Sequence, residues 1–192
     1  GENPKNVFCV GGLGGDALKK VPILSKKNLS KQLNIKLKKR SFLVTYHPLT
    51  ANPSAGFLEL LELLQALEKY EDCSIIFTMP NADADGLQLA KTLKTFADAH
   101  INTYYFSSLG QEKYFSCLSN FDAVIGNSSS GLLEAPSFKI PTINIGDRQK
   151  GRLKAESVID CEAKKENIQQ AIQKALSPEF IKKTQKTNNP YE

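Results

Sequence analysis

Three serines and a glycine open a helix-like run directly behind a short apolar strand pattern: Ile125-Gly126-Asn127-Ser128-Ser129-Ser130-Gly131-Leu132-Leu133-Glu134-Ala135-Pro136. Backbone N–H groups at a helix start attract phosphate, and hydroxyls add further donors. One serine would serve as an ordinary N-cap, whereas three in succession point to a ligand. Glu134 lies one turn further in, where a carboxylate can accept hydrogen bonds from ribose hydroxyls or simply face solvent. Pro136 limits the regular helix behind it, expected over Ser129–Pro136. A second cluster follows the next strand pattern, Gly146-Asp147-Arg148-Gln149-Lys150-Gly151-Arg152. The planar fork of Arg148 suits a diphosphate, and Lys150 and Arg152 either join it or are solvated. Of the two histidines, His47 ends a strand pattern and precedes Pro48, while His100 sits in a helix-to-strand connection. On position alone His47 is either a functional imidazole or a structural one. A nucleotide diphosphate is the ligand that these residue types suggest.

Other patterns are incomplete. Gly12-Leu13-Gly14-Gly15-Asp16-Ala17 approaches the dinucleotide fingerprint G-x-G-x-x-A, but no acidic residue occurs between Ala17 and Leu58 to bind a ribose. A glycine turn lining a cleft is the preferred reading over a redox cofactor. Asn81-Ala82-Asp83-Ala84-Asp85-Gly86 opens like a calcium loop, yet its twelfth position is Thr92 instead of glutamate, so Asp83 or Asp85 is expected to cap a helix. Cys9, Cys73, Cys117 and Cys161 are widely spaced, as buried reduced thiols would be, with no zinc ligand set. No P-loop or Ser-His-Asp signature is present.

The elements that must position these groups alternate. Strands are expected at Val7–Val10, Phe42–Tyr46, Ser74–Thr78, Thr103–Phe106, Ala123–Gly126, Thr142–Ile145 and Ser157–Asp160. Helices are expected at Pro53–Tyr70, Ala84–Ala99, Gln111–Ser119 and Lys164–Leu176, with a weaker lysine-rich one at Leu29–Lys39. Apolar runs with little alternation suit parallel strands covered on both faces. The pattern predicts an α/β fold with a doubly wound parallel sheet, whose ligands bind beyond the C-terminal strand ends. At 192 residues, 41% of them hydrophobic and 23% charged, the chain suits one globular domain. The tail from Ser177 is polar and expected to be loose. The longest apolar stretch falls short of a membrane span, no signal peptide is evident, and a cytoplasmic protein is the default. The net charge of +5 is concentrated in the lysines between Lys19 and Arg40. Without interleaved aromatics, that block reads as a solvated basic face in preference to a nucleic-acid surface.

Taken together, Gly126-Asn127-Ser128-Ser129-Ser130-Gly131, Glu134-Ala135-Pro136 and the run from Ile140 to Arg152 resemble the hydrolysing UDP-N-acetylglucosamine 2-epimerases of the sialic acid type. Thr45-Tyr46-His47-Pro48-Leu49-Thr50 and Val10-Gly11-Gly12-Leu13-Gly14 match the same family in the same order, so the resemblance spans essentially the whole chain. It implies a Rossmann-like sheet forming the C-terminal domain of a GT-B-like two-domain enzyme, with the active site between the halves. It implies elimination of UDP from UDP-N-acetylglucosamine and hydration of the glycal to N-acetylmannosamine, with no metal or other cofactor. By resemblance, Ser128, Ser129 and Arg148 contact the diphosphate, Glu134 the ribose, and the Leu109 backbone and Tyr114 ring the uracil. His47 matches the family's active-site histidine. The expected partners are UDP, the UDP-sugar, an N-terminal domain that carries the catalytic carboxylates and a homo-oligomer of the full-length enzyme, but neither nucleic acid nor membrane. The family's chains are about twice as long and continue past Asn189-Pro190-Tyr191 with a glycine-rich turn and a helix. Alternatives are the donor domain of a GT-B glycosyltransferase, an epimerase acting on a UDP-diacetamido sugar, and a nucleotide-binding module without activity.

Overall fold

Strand β1, Arg40–Thr45, is flanked on both edges by parallel partners, and its side chains are buried from Ser41 onward. The computed structural model describes residues 3–6, 8, 18, 20–48, 53–81 and 84–192. The glycine run Gly11–Ala17, Leu49, Thr50, Asp83 and most of the expected strand Val7–Val10 lie outside them. The further strands are β2, Cys73–Thr78; β3, Thr103–Phe106; β4, Ala123–Gly126; β5, Thr142–Ile145; and β6, Val158–Cys161. They form one sheet in the order β3-β2-β1-β4-β5-β6, and every pairing is parallel. The order reverses between β1 and β4, which is where a doubly wound sheet opens its ligand crevice.

Side-chain alternation along β1 divides the core. Phe42, Val44 and Tyr46 join Ile75 and Phe77 on one face, while Leu43 joins Ile76 and Val124 on the other. The first face is covered by α2, Pro53–Leu67, and α3, Ala84–Ala99, through Leu60, Leu63, Leu67, Leu89 and Leu93. The second is covered by α1, Lys26–Leu33, through Leu29 and Leu33, and by α4, Gly110–Asn120, through Phe115 and Leu118. Each such side chain contributes about 1.5–3 kcal/mol when fully buried.

Two expectations are corrected at helix ends. The lysine-rich helix is not Leu29–Lys39: Ser25 caps it from Asn28 N–H at 3.3 Å, and it stops at Asn34, which turns left-handed at φ 53°. Asparagine tolerates that conformation and ends the helix there. The tail from Ser177 is not loose either. Ser177 and Pro178 start α7, Pro178–Thr184, behind α6, Lys165–Ala175, and Phe180 is buried beside Ile168 and Ile172. Further on, Asn189 Nδ2 donates to the Leu133 carbonyl at 2.8 Å and to Ser137 Oγ at 2.6 Å, and the Tyr191 hydroxyl donates to the Leu153 carbonyl at 3.0 Å.

Cys73 and Cys117 are buried, Cys161 is partly so, and all three are free thiols; Cys9 lies outside the described residues. Burial pushes each of the three thiols up to about 12, so they remain protonated at neutral pH. His100 stacks on Phe96 with ring centroids 4.1 Å apart and shares a 2.8 Å hydrogen bond between its Nδ1 and the Phe96 carbonyl, which suits a structural role. Among the described residues no helix is long and apolar enough to cross a membrane.

Candidate functional site

At the reversal point the ends of β1 and β4 are tied by backbone and side chain together. Gly126 has φ 136°, and a Cβ placed there would lie 2.0 Å from the Thr45 carbonyl oxygen. Only glycine allows that approach. Asn127 follows, fully buried, and its N–H donates to the Thr45 carbonyl at 3.2 Å. Its Oδ1 accepts from His47 N–H at 2.7 Å, and its Nδ2 donates to the His47 carbonyl at 2.9 Å. His47 is half-buried, and its Nδ1 accepts from Asn81 N–H at 3.2 Å. That bond leaves Nε2 as the protonated nitrogen of the neutral ring.

Alternation continues past the strand end. The Tyr46 hydroxyl points into the first core face and donates to Glu59 Oε2 at 2.5 Å, while burial, reinforced by Glu59, keeps it protonated. Thr45 and His47 face the other way. There the Thr45 and Thr78 hydroxyls share a 2.5 Å hydrogen bond. Both threonines and His47 border a cleft of about 370 Å³ that also takes in Leu109, Tyr114, Ser128 and Ser130.

Of the residues expected in the site, His47, Leu109, Tyr114 and Ser128 therefore meet in one cleft; Ser129, Glu134 and Arg148 are not part of its lining. Ser130, which the sequence reading counted only as part of the serine run, is. It accepts a 2.6 Å hydrogen bond from the Tyr114 hydroxyl. Burial pushes Tyr114 up to about 12; the Ser130 bond works against this and the charge of nearby Glu134 adds to it. Tyr114 is thus a proton donor at all physiological pH values.

The serine helix is shorter than expected. α5 is Ser130–Leu133, one turn, and a 3₁₀ turn, Ala135–Phe138, takes over with Pro136 in its first positions. Pro136 has no N–H to offer the Leu132 carbonyl, so the α ladder cannot continue through it. A single turn aligns few peptide dipoles, and anion binding here rests on local N–H and hydroxyl donors. Ser129 occupies the N-cap position without making a side-chain cap bond. The ordinary capping role therefore does not account for its hydroxyl.

Glu134 does not simply face solvent. It is half-buried, and its Oε2 is buried without a hydrogen-bond partner among the described residues. A buried carboxylate oxygen left unpartnered is costly, and a ligand hydroxyl would satisfy it. Arg148 is exposed, and its Nη1 donates to the Asn127 carbonyl at 3.1 Å. Gln149, 1% exposed, donates to the same carbonyl at 2.7 Å. Asn127 and Gln149 were not singled out from sequence, because bonds spanning 80 and 22 positions leave no local pattern. The arrangement brings hydroxyl groups and an imidazole to one cleft, and leaves a buried carboxylate oxygen of Glu134 outside its lining. No group of three metal-ligating side chains occurs among the described residues.

The family model described as UDP-N-acetylglucosamine 2-epimerase matches residues 1–192, the whole chain. The chain belongs to that epimerase family. This family member is 43% identical over 181 residues to the GDP/UDP-N,N'-diacetylbacillosamine 2-epimerase (hydrolyzing) of Campylobacter jejuni, covering 94% of this chain and 47% of the relative. It is 36% identical over 192 residues to the polysialic acid biosynthesis protein P7 of Escherichia coli, covering 100% and 49%. Its fold matches a S. aureus MnaA–UDP co-structure with a TM-score of 0.75 at 19% identity, covering 100% of this chain and 50% of that one. The chain spans about half the length of the curated relatives it matches.

Proposed function

We propose that this chain is the UDP-binding C-terminal half of a hydrolysing UDP-sugar 2-epimerase with a GT-B-like arrangement of two domains. The observation that carries the reading is the convergence of His47, Leu109, Tyr114 and Ser128 on one cleft at the β1–β4 reversal, in a member of this epimerase family. In this reading the loop Ser128–Ser130 and Arg148 hold the diphosphate, Glu134 accepts from the ribose, and the Leu109 backbone and Tyr114 ring flank the uracil. Arg148 must then turn from the Asn127 carbonyl toward phosphate, a stronger partner for a guanidinium. His47, with its proton on Nε2, is suited to donate to oxygen that gains charge as UDP departs. The elimination gives a glycal, and hydration of the glycal gives the epimerised free sugar. The carboxylates that serve as acid and base at the sugar itself are proposed to come from an N-terminal domain, beside the proton that His47 offers to the leaving group.

For the sugar, the resemblance to the sialic acid type supports UDP-N-acetylglucosamine going to N-acetylmannosamine and UDP. A second reading, a diacetamido sugar nucleotide, is supported by the 43%-identical C. jejuni relative. Offering both sugar nucleotides to the two-domain protein and measuring which releases UDP decides between them.

The chain alone is expected to bind UDP weakly and to turn over no UDP-sugar. A cleft with half its wall absent should hold UDP with a Kd of roughly millimolar to tens of micromolar. Titration of the isotope-labelled chain should shift resonances over Ser128–Glu134. Ser129→Ala and Arg148→Ala should weaken UDP more than uridine, and Glu134→Ala should weaken both. If several millimolar UDP leaves those resonances in place, or uridine binds as well as UDP, the site assignment is wrong.

A further inference from the structure

We propose that Asn127 is the positioning residue for His47, an inference that rests on the role proposed for that histidine. Backbone pairing between β1 and β4 ends at Thr45 and Gly126. One residue further on, the Asn127 side chain takes over, exchanging two hydrogen bonds of 2.7 and 2.9 Å with the N–H and carbonyl of His47. A carboxamide here makes the two-bond exchange that facing residues make in an antiparallel ladder, which backbone alone does not make between the parallel strands β1 and β4. Among side chains of this length only a carboxamide offers both the donor and the acceptor; aspartate lacks the donor, and alanine lacks both.

The His47 backbone is thereby held on both sides of its Cα, which fixes where the ring begins. Asn81 N–H, 3.2 Å from Nδ1, then fixes which nitrogen carries the proton. Asn127 is itself immobilised. Its N–H donates to Thr45, and its carbonyl accepts from Arg148 at 3.1 Å and Gln149 at 2.7 Å, so the ends of β1, β4 and β5 converge on one residue that is fully buried. The N–H, carbonyl and both side-chain atoms of Asn127 are thereby all partnered, and losing this residue loosens the groups that it joins.

A double-mutant cycle in the two-domain protein tests this. Asn127→Ala should lower kcat on the order of 10²-fold, the scale of a misplaced catalytic group, with KM little changed. It should cost nothing further in a His47→Asn background. Losses that multiply, or full turnover in Asn127→Ala beside an inactive His47→Asn, overturn the inference and leave the reading of His47 standing. A second readout needs no catalysis. At a pH where the ring is neutral, the His47 side-chain ¹⁵N shifts of the chain should report a single tautomer protonated at Nε2, and Asn127→Ala should average the two tautomers. Unchanged ring shifts overturn the positioning role. If His47→Asn proves fully active, the reading of His47 falls, and the ring shifts alone decide the positioning. Should Asn127→Ala not fold, the isosteric Asn127→Asp keeps the acceptor and removes the donor. It should give a smaller kcat loss and intermediate ring shifts, and wild-type values for both overturn the proposal.

Discussion

His47→Asn in the two-domain protein is expected to reduce UDP-sugar turnover by about 10²–10⁴-fold, the usual contribution of a positioned proton-transfer group. The same substitution should barely move the melting temperature. His47 keeps its backbone bonds to Asn127 whatever its side chain, and the ring accepts at Nδ1 from Asn81 N–H at 3.2 Å. Losing such a bond costs about 1 kcal/mol, which in a chain of this size is about 2–4 °C in Tm. Asparagine is near the imidazole in size and places an amide near the former Nδ1, so packing at the cleft is preserved. Activity assays and thermal melts on the same preparations check both halves of the expectation. Unchanged turnover would reduce His47 to a structural residue and remove the chemical argument for the cleft.

Gly126→Ala is expected to be the most destabilising single-methyl change at any described glycine with positive φ. Two costs add. At φ 136° an L-residue is strained, which costs about 1–3 kcal/mol. The new methyl would also sit 2.0 Å from the Thr45 oxygen and 2.8 Å from its carbonyl carbon. Those are backbone atoms of the central strand, and relieving the contact means parting β1 from β4, at roughly 1–3 kcal/mol more. Gly110 and Gly151, at φ 65° and 81°, have nothing within 4 Å of a built Cβ. Alanine at either should cost only the left-handed conformation, about 1–2 kcal/mol. Urea unfolding of the three variants therefore gives a ranking. If Gly126→Ala unfolds at the same urea concentration as Gly110→Ala, the close approach of the two strands is not as described.

Much of the architecture was legible because parallel strands buried on both faces read as unbroken apolar runs. Cys-Ser-Ile-Ile-Phe-Thr and Ala-Val-Ile-Gly are unmistakable in that sense, and the helix Ala84–Ala99 was bounded to the residue. The misreadings share a cause. Asn34 is a stop signal inside the lysine-rich run, Pro136 is a stop that ends the α ladder before its own position, and Ser177-Pro178 is a start signal that lost to a polar tail. In each the local backbone chemistry decided the outcome, through a left-handed asparagine, a proline without N–H, or a serine cap. In the site, residues at strand ends could be named because the fold class says where ligands bind. The partnership of Asn127 with His47 could not be named, since it joins positions 80 apart through an unremarkable asparagine. The buried oxygen of Glu134, unpartnered among the described residues, was equally hidden, because nothing in the sequence separates a solvated glutamate from a half-buried one.

The strand order has a consequence for how the site persists in time. β1 is paired on both edges and covered on both faces, and β4 lies beside it, so the amides of these two strands are released to solvent only when the whole domain opens. β3 and β6, four residues each, close the sheet at its margins with one edge unpaired among the described residues, and they can fray on their own. His47 and Asn127 therefore hang from the part of the molecule that lets go last. On the function proposed, a nucleotide arriving at the cleft would meet a floor that is already assembled, and its binding free energy would not be drawn down by ordering the strands beneath it.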